Sequence, residues 1–213
     1  MPTITGITTA KRRSGWLNIE LDGVSSLILP QGRVLTLGLA RGDTIDASRL
    51  GELESAAERA EAVRIALRYL SVRPRSRQEL VRQLRKKEIT EPARNEALRR
   101  CEALGYLDDA AFAAAFARDR IRLRPSGARK MTTDLRAKGV SALDAAAGIR
   151  DAMEEERVEE SELLDRAARK RVRSQGRLEP EVARRRLFAF LTRRGFTAGE
   201  IRGWLENQDR ESG

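Results

Sequence analysis

Two hydrophobic rhythms divide the chain. Apolar and polar positions alternate over residues 3–29, in Thr3 to Thr8, then Leu17, Ile19 and Leu21, then Val24 to Leu29, which predicts three strands. Asp22-Gly23 between the last two is a type I′ hairpin signal, and a two-residue loop sets Leu21 opposite Val24 and Leu17 opposite Ile28. So small a hairpin is expected to lean on the Val34–Leu39 segment or on the helices that follow. From about Gly51 the spacing turns helical and stays so to the end. Ala62, Ile65, Ala66 and Tyr69 share one face, widened by Val63, Leu67 and Leu70. Pro74 stops that helix. Ser76-Arg77-Gln78-Glu79 is a capping-box pattern for the next, whose apolar side is Leu80, Val81 and Leu84.

The helical part repeats. Leu84-Arg85-Lys86-Lys87-Glu88-Ile89-Thr90 returns as Leu135-Arg136-Ala137-Lys138-Gly139-Val140-Ser141, and again as Leu191-Thr192-Arg193-Arg194-Gly195-Phe196-Thr197. Each copy reads as a buried leucine, basic residues against the helix dipole, a turn, an apolar residue, and a Ser or Thr that caps the next helix. Gly139 and Gly195 suit a left-handed helix end; Glu88 in the first copy does not. Arg73-Pro74 matches Arg124-Pro125 and extends the repeat backwards. The predicted fold is mainly α, with three tandem three-helix repeats forming an elongated, curved body and a small N-terminal β-hairpin extension. Its expected boundaries are 1–50 for the extension and 51–105, 106–156 and 157–213 for the repeats.

Gly105-Tyr106-Leu107-Asp108-Asp109 joins the first two repeats. Asp108 is placed to cap the next helix, with Leu107 packing against Phe112. Phe112 and Phe116 mark a buried face, and Arg118, Arg120, Arg122 and Arg124 follow on the same segment. Asp108 and Asp109 could hold a magnesium ion in principle, but adjacent carboxylates at a helix start are better explained by capping and the dipole.

Charge sharpens this picture. The 213 residues carry 42 Lys and Arg against 32 Asp and Glu, a net charge of +10, which points to a polyanionic partner or an acidic protein surface. Residues 1–61 hold seven basic and eight acidic residues, so the excess belongs to the helical part. It concentrates in 71–90, with seven basic and two acidic, in 118–138, with eight and two, and in 166–194, with eleven and two. Because the units repeat, these segments are expected to line one cationic track. Lys11-Arg12-Arg13 reads instead as a solvated loop. Asp151 to Glu162 holds seven acidic residues and one arginine, a solvated helix end, a patch that confines phosphate to the basic faces, or one that meets a basic surface on a protein partner.

Composition excludes several chemistries. The absence of histidine removes imidazole metal sites, Ser-His-Asp and Cys-His triads and histidine pH switching. The single Cys101 forms no internal disulfide, and its spacing with Leu98 and Leu104 makes it a small buried hydrophobe in a reducing, cytoplasmic setting. No apolar run reaches the ~20 residues of a membrane span. With 4% aromatics, a dedicated base-stacking platform is not expected. Gly38-Leu39-Ala40-Arg41-Gly42-Asp43 lacks the lysine of a P-loop, so no enzyme, cofactor or metal is predicted. A helix-turn-helix reader of duplex DNA is the competing class, with Arg77 and Gln78 at the start of a recognition helix.

Arg73-Pro74-Arg75-Ser76 with Glu79-Leu80, Gly105-Tyr106-Leu107-Asp108-Asp109 with Phe112-Ala113, and Leu135-Arg136-Ala137-Lys138-Gly139-Val140 closely resemble the bacterial RecX family over residues 62–207. Arg124-Pro125-Ser126-Gly127 departs from the Gly-Pro type of turn more usual in that family. The resemblance implies a non-enzymatic modulator of the RecA recombinase that binds RecA filaments on single-stranded DNA and suppresses ATP hydrolysis and strand exchange, modulating recombination and the SOS response. Its implied partners are RecA, single-stranded DNA and, as an open alternative, double-stranded DNA; a cytoplasmic monomer without membrane contact is expected. Tyr106, Leu107 and Phe112 read as structural. The expected contacts to filament or DNA are Arg73, Arg75, Arg77, Arg82, Lys86, Arg118, Arg120, Arg122, Arg124 and Lys130.

Overall fold

The computed structural model describes residues 1–174 and 179–212, and within them three strands precede ten helices. β1 (Ile4–Thr9), β2 (Trp16–Leu21) and β3 (Val24–Pro30) form one antiparallel sheet in that order. Asp22 and Gly23 take φ of 50° and 81°, as a type I′ turn requires, and Leu21 pairs with Val24. Leu17, however, pairs with Leu29 rather than Ile28, because a bulge between Ile19 and Glu20 slips the ladder by one residue. The unbulged register would set Ser26 opposite Ile19. The bulge sets Leu27 there instead, so Leu27 and Leu29 join Ile19 and Leu21 in the core while Val24 is left 66% exposed.

The sheet leans where it was expected to. Val34 of α1 (Gln31–Thr36) is buried under it, with Leu37 and Leu39 packed alongside. α2 (Ala47–Leu70) starts ahead of Gly51 because the Asp46 carboxylate accepts the Arg49 amide at 2.7 Å. This long helix serves two cores. Leu53 and Ala56 pack with the sheet, whereas Ala62 and Ala66 pack with Leu80 and Leu84 of α3 (Arg77–Arg85) and with Ala97, Leu98 and Cys101 of α4 (Glu91–Ala103). Burial raises the Cys101 thiol pKa, as befits a small core side chain. Leu104 does not share that core. α4 ends before it, Gly105 turns left-handed at φ 72°, and Leu104 is left 52% exposed.

Six further helices follow: α5 (Asp109–Leu123), α6 (Ala128–Ala137), α7 (Ala142–Glu155), α8 (Glu160–Ser174), α9 (Pro180–Arg193) and α10 (Ala198–Ser212). The chain packs as two compact units, one of Met1–Pro74 with Leu80–Leu107, the other of Arg75–Glu79 with the chain from Asp108 onward. In the second unit α5 to α10 share one core, to which Phe112, Ile121, Met131, Leu135, Ile149, Leu163, Leu191 and Ile201 contribute. Phe112 is buried there and Leu107 in the core of the first unit, so each belongs to a different core from the staple partner predicted for it. Tyr106, expected to be structural, is 62% exposed. No helix among the described residues is long and apolar enough to cross a membrane.

All three repeat corners close alike. The amides of Ile89, Val140 and Phe196 bond the carbonyls of Leu84, Leu135 and Leu191, and those leucines are fully buried. Glu88 adopts φ 57° where Gly139 and Gly195 adopt 85° and 89°, so the first corner keeps the motif without its glycine. Ser141 and Thr197 cap the next helices through Asp144 N and Glu200 N. Thr90 does not cap; its hydroxyl and amide are both held by Glu58 of α2, at 2.6 and 2.7 Å.

Candidate functional site

The second unit is pinned at two equivalent joints. At the first, the capping box forms as predicted, with Glu79 N donating to Ser76 Oγ at 3.1 Å and Ser76 N to Glu79 at 3.4 Å. Ser76 Oγ donates onward to the Lys138 carbonyl at 2.6 Å, Lys138 pairs with Glu79 at 3.0 Å, and the Arg77 amide donates to Asp109 at 2.7 Å. The second joint repeats this with different residues. Gly127 N donates to the Arg194 carbonyl at 2.9 Å, and the Ala128 amide donates to Glu160 at 2.9 Å. Asp109 and Glu160 thus each cap the second helix of the preceding repeat from the start of the following one. Asp108 meanwhile accepts Ala110 N and Ala111 N, so both carboxylates of the Asp108-Asp109 pair are engaged with backbone amides.

Burial raises the carboxyl pKa of Glu160 against the lowering effect of the Ala128 amide, and the Glu200 charge adds to the rise. The folded chain therefore holds this proton more tightly than the unfolded chain, and the contribution of Glu160 to stability falls as pH climbs from the ordinary glutamate value to the raised one. Glu160→Gln keeps the acceptor and removes the buried charge. It is expected to exceed the parent in urea stability at neutral pH and to match it once both carry neutral groups in acid. Glu160→Ala, without an acceptor, loses about 1 kcal/mol in acid and less at neutral pH, where the charged parent has already given up part of that stabilisation. A Gln variant weaker than the parent at neutral pH would show that the charged cap outweighs its desolvation.

α5 runs out of this joint carrying its arginines, and the acidic segment folds back onto two of them. Arg118 meets Glu155 at 2.7 Å, and Arg122 Nε meets Glu156 at 2.9 Å, a bond that holds the Glu156 carboxyl below its usual range. Glu160 caps Ala128, and Glu162 pairs with Arg166 at 2.6 Å. Asp151, Glu154, Glu155, Glu159 and Glu162 are exposed, as a solvated helix end would be, while Glu155, Glu156 and Glu160 also serve as internal partners. Arg120 and Lys130 share Asp134, at 3.3 and 2.6 Å, and Arg120 also lies over the Phe116 ring at 4.9 Å.

What remains is a cluster at the C-terminal end of α5. Arg194, which follows α9, points its guanidinium at the Arg124 carbonyl at 3.3 Å and at Ser126 Oγ at 3.4 Å, and stacks on Phe190 at 5.0 Å. Arg171 lies over the same ring at 5.4 Å, and its Nε is buried without an acceptor among the described residues. Lys170 reaches the Leu123 carbonyl at 3.4 Å. Burial first, then the charges of Arg120 and Arg124, lower the pKa of Arg194, as like charges held close together should. Carbonyls at a helix end attract cations, but one or two satisfy that demand. Here Arg120, Arg124, Lys170, Arg171 and Arg194 gather, Arg120 sharing the Asp134 carboxylate with Lys130 and Glu160 standing nearby on the Ala128 amide. Arg194, Lys170 and Arg171 were missing from the predicted contacts; the charge count over 166–194 held the signal, but not which side chains turn toward α5. Arg177 of that run lies outside the described residues.

The remaining predicted contacts lie elsewhere. Arg82 and Lys86 are exposed, opposite buried Leu80 and Leu84, as their spacing implied. Arg73 donates to the Pro74 carbonyl at 2.9 Å, Arg75 is half-buried, and the side chain of Arg77 is exposed.

Repeated three-helix units, two of which gather their guanidinium groups around the end of α5, define a protein of the helical-repeat class. Family models described as the first, second and third three-helix domains of RecX match residues 62–101, 108–149 and 159–205. The chain belongs to the RecX family. "Regulatory protein RecX" from Geobacillus thermodenitrificans is 32% identical over 224 residues, covering 100% of this chain and 82% of that protein. The Streptomyces coelicolor protein of the same name is 36% identical over 161 residues, covering 74% and 83%. A crystal structure of regulatory protein RecX superposes with a TM-score of 0.72 at 25% identity, over 95% of this chain and 98% of that one. RecX from Lactobacillus salivarius shares the fold, with a TM-score of 0.59 at 21% identity over 71% of this chain and 97% of that one.

Proposed function

We propose that this chain is a non-enzymatic regulator that binds RecA filaments on single-stranded DNA and lowers their ATPase and strand-exchange activity, acting in the cytoplasm as a monomer. The observation that carries the reading is the gathering of Arg120, Arg124 and Arg194, held together against their own repulsion beside Lys170. Guanidiniums so placed match the phosphates or acidic side chains that a nucleoprotein filament offers together. Arg82 and Lys86 of the first unit are proposed as further contacts, while Arg118 and Arg122 are proposed to act less, since Glu155 and Glu156 already engage them.

The competing reading, an autonomous reader of duplex DNA, needs the start of a recognition helix to enter the major groove. Ser76 at that start is fully buried on the Lys138 carbonyl, the Arg77 amide is bonded to Asp109, and Gln78 lies against Gly139. These contacts favour the filament. Co-sedimentation with RecA–single-stranded DNA filaments, beside naked single- and double-stranded DNA at the same salt, tests the choice. Preferential pelleting with filaments and a fall in RecA ATPase are expected. Equal or tighter binding to one duplex sequence would establish the DNA reader instead.

A further inference from the structure

A second surface in the first unit is chemically unlike the cationic cluster. A groove of about 1400 Å³ runs between the sheet end with α1 on one side and α2 with α4 on the other. Its floor includes Ala56, Ala60, Val63 and Leu67 of α2, at the alternating four- and three-residue spacing that a second helix packs against. Exposed Leu104 closes one end, and Trp16 and Pro30 stand on the opposite wall. The floor spans about 16 Å at 1.5 Å per residue, roughly three helical turns.

The rim supplies the sign of the partner. Five arginines line the groove, Arg33, Arg59, Arg64, Arg99 and Arg100, against Glu91 and Glu96. Arg64 is bound by Glu61 at 2.6 Å and Arg99 by Glu96 at 2.6 Å. Arg59 bonds only the Ser55 hydroxyl, at 2.7 Å, and Arg33 and Arg100 have no carboxylate among the described residues. An aliphatic floor under unpaired guanidiniums suits neither a phosphate backbone, whose charge would lie on Val63 and Leu67, nor a purely apolar partner. An extended peptide would also leave backbone groups over that floor without partners, whereas a helix satisfies its own.

We propose that this groove docks an acidic amphipathic helix of a partner protein, its apolar stripe on Val63, Leu67 and Leu104 and its carboxylates on Arg33, Arg59 and Arg100. The site goes beyond the filament reading and does not depend on it. Its probe is a fluorescein-labelled, acetylated peptide of about 14 residues with leucines on one helical face and Glu and Ala on the other, titrated with the full chain and read by anisotropy. Saturable binding is expected, weakened about tenfold by Arg33→Glu with Arg100→Glu and also by Leu104→Asp, all at exposed positions where folding is spared. A scrambled peptide of equal charge should bind about tenfold more weakly. No saturation by about 1 mM, equal binding of the scrambled peptide, or indifference to these variants would overturn the proposal. Displacement of the peptide by a single-stranded oligonucleotide whose own affinity falls in the same variants would make the groove a nucleic-acid surface and likewise overturn it. Filament pelleting by the same variants, scored in parallel, separates this outcome from that of the proposed function.

Discussion

Gly148→Ala should destabilise the protein by about 2 kcal/mol, although in most helices the same change stabilises. Alanine gains about 1 kcal/mol over glycine in an exposed helix, because glycine loses more backbone entropy on folding. Gly148 lies inside α7, where α7 crosses α5. A Cβ there would stand 2.6 Å from both Ala113 Cβ and Ala114 N and 2.8 Å from the Ala113 carbonyl carbon. Two of those neighbours are backbone, so no rotamer relieves the clash and the helices must separate. Separation loosens the contacts of Ala113, Ala117, Ala145 and Ala152, which are buried in the same core. Gly203→Ala in α10 is the matched control, since nothing lies within 4 Å of its Cβ position. It should stabilise by about 0.5–1 kcal/mol. Urea midpoints for the two variants should move in opposite directions, and the thermal midpoint of Gly148→Ala should fall by about 5 °C. Movement in the same direction would mean that α5 and α7 yield freely at their crossing.

The parts of this molecule legible in its sequence are those written in local spacing. The three corners, the Ser76 capping box and the exposure of Arg82 and Lys86 opposite Leu80 and Leu84 all follow from residues within a few positions of one another. What escaped depends on partners far along the chain. Arg118 finds Glu155 across 37 residues and Ser76 finds Lys138 across 62, and neither choice is encoded in periodicity. The hairpin bulge escaped for another reason. The Asp-Gly turn fixes only the start of the ladder, and the preference for a leucine over a serine opposite Ile19 acts one pair further on. The cationic site shows both limits together. Counting arginines located the charge, but only the fold separates those engaged by α7 carboxylates from those left gathered around the end of α5.

That separation leads to the largest functional effect expected. Arg124→Glu with Lys170→Glu should weaken filament binding about 100-fold at low salt and lower the slope of log K against log salt by about 2. Both side chains are exposed, and among the described residues Lys170 makes only a 3.4 Å contact to the Leu123 carbonyl, so the fold loses little when they change. Arg194 would then sit beside a glutamate at position 124, and the site would change from gathered like charges to an internally neutralised pair. Arg118→Gln with Arg122→Gln removes the same formal charge from the chain as deleting two free cations. It should nevertheless cost less than about threefold in affinity, because Glu155 and Glu156 engage both arginines before any partner arrives. The paired measurement distinguishes a defined cluster from general cationic attraction. The Glu pair changes the formal charge by about four units and the Gln pair by about two, so logarithmic losses in that two-to-one ratio would mean that net charge alone drives association and that the grouping of Arg124, Lys170 and Arg194 has no special part in it. A loss confined to the Gln pair would place the contact on the face of α5 that carries Arg118 and Arg122, with the α7 carboxylates displaced on binding.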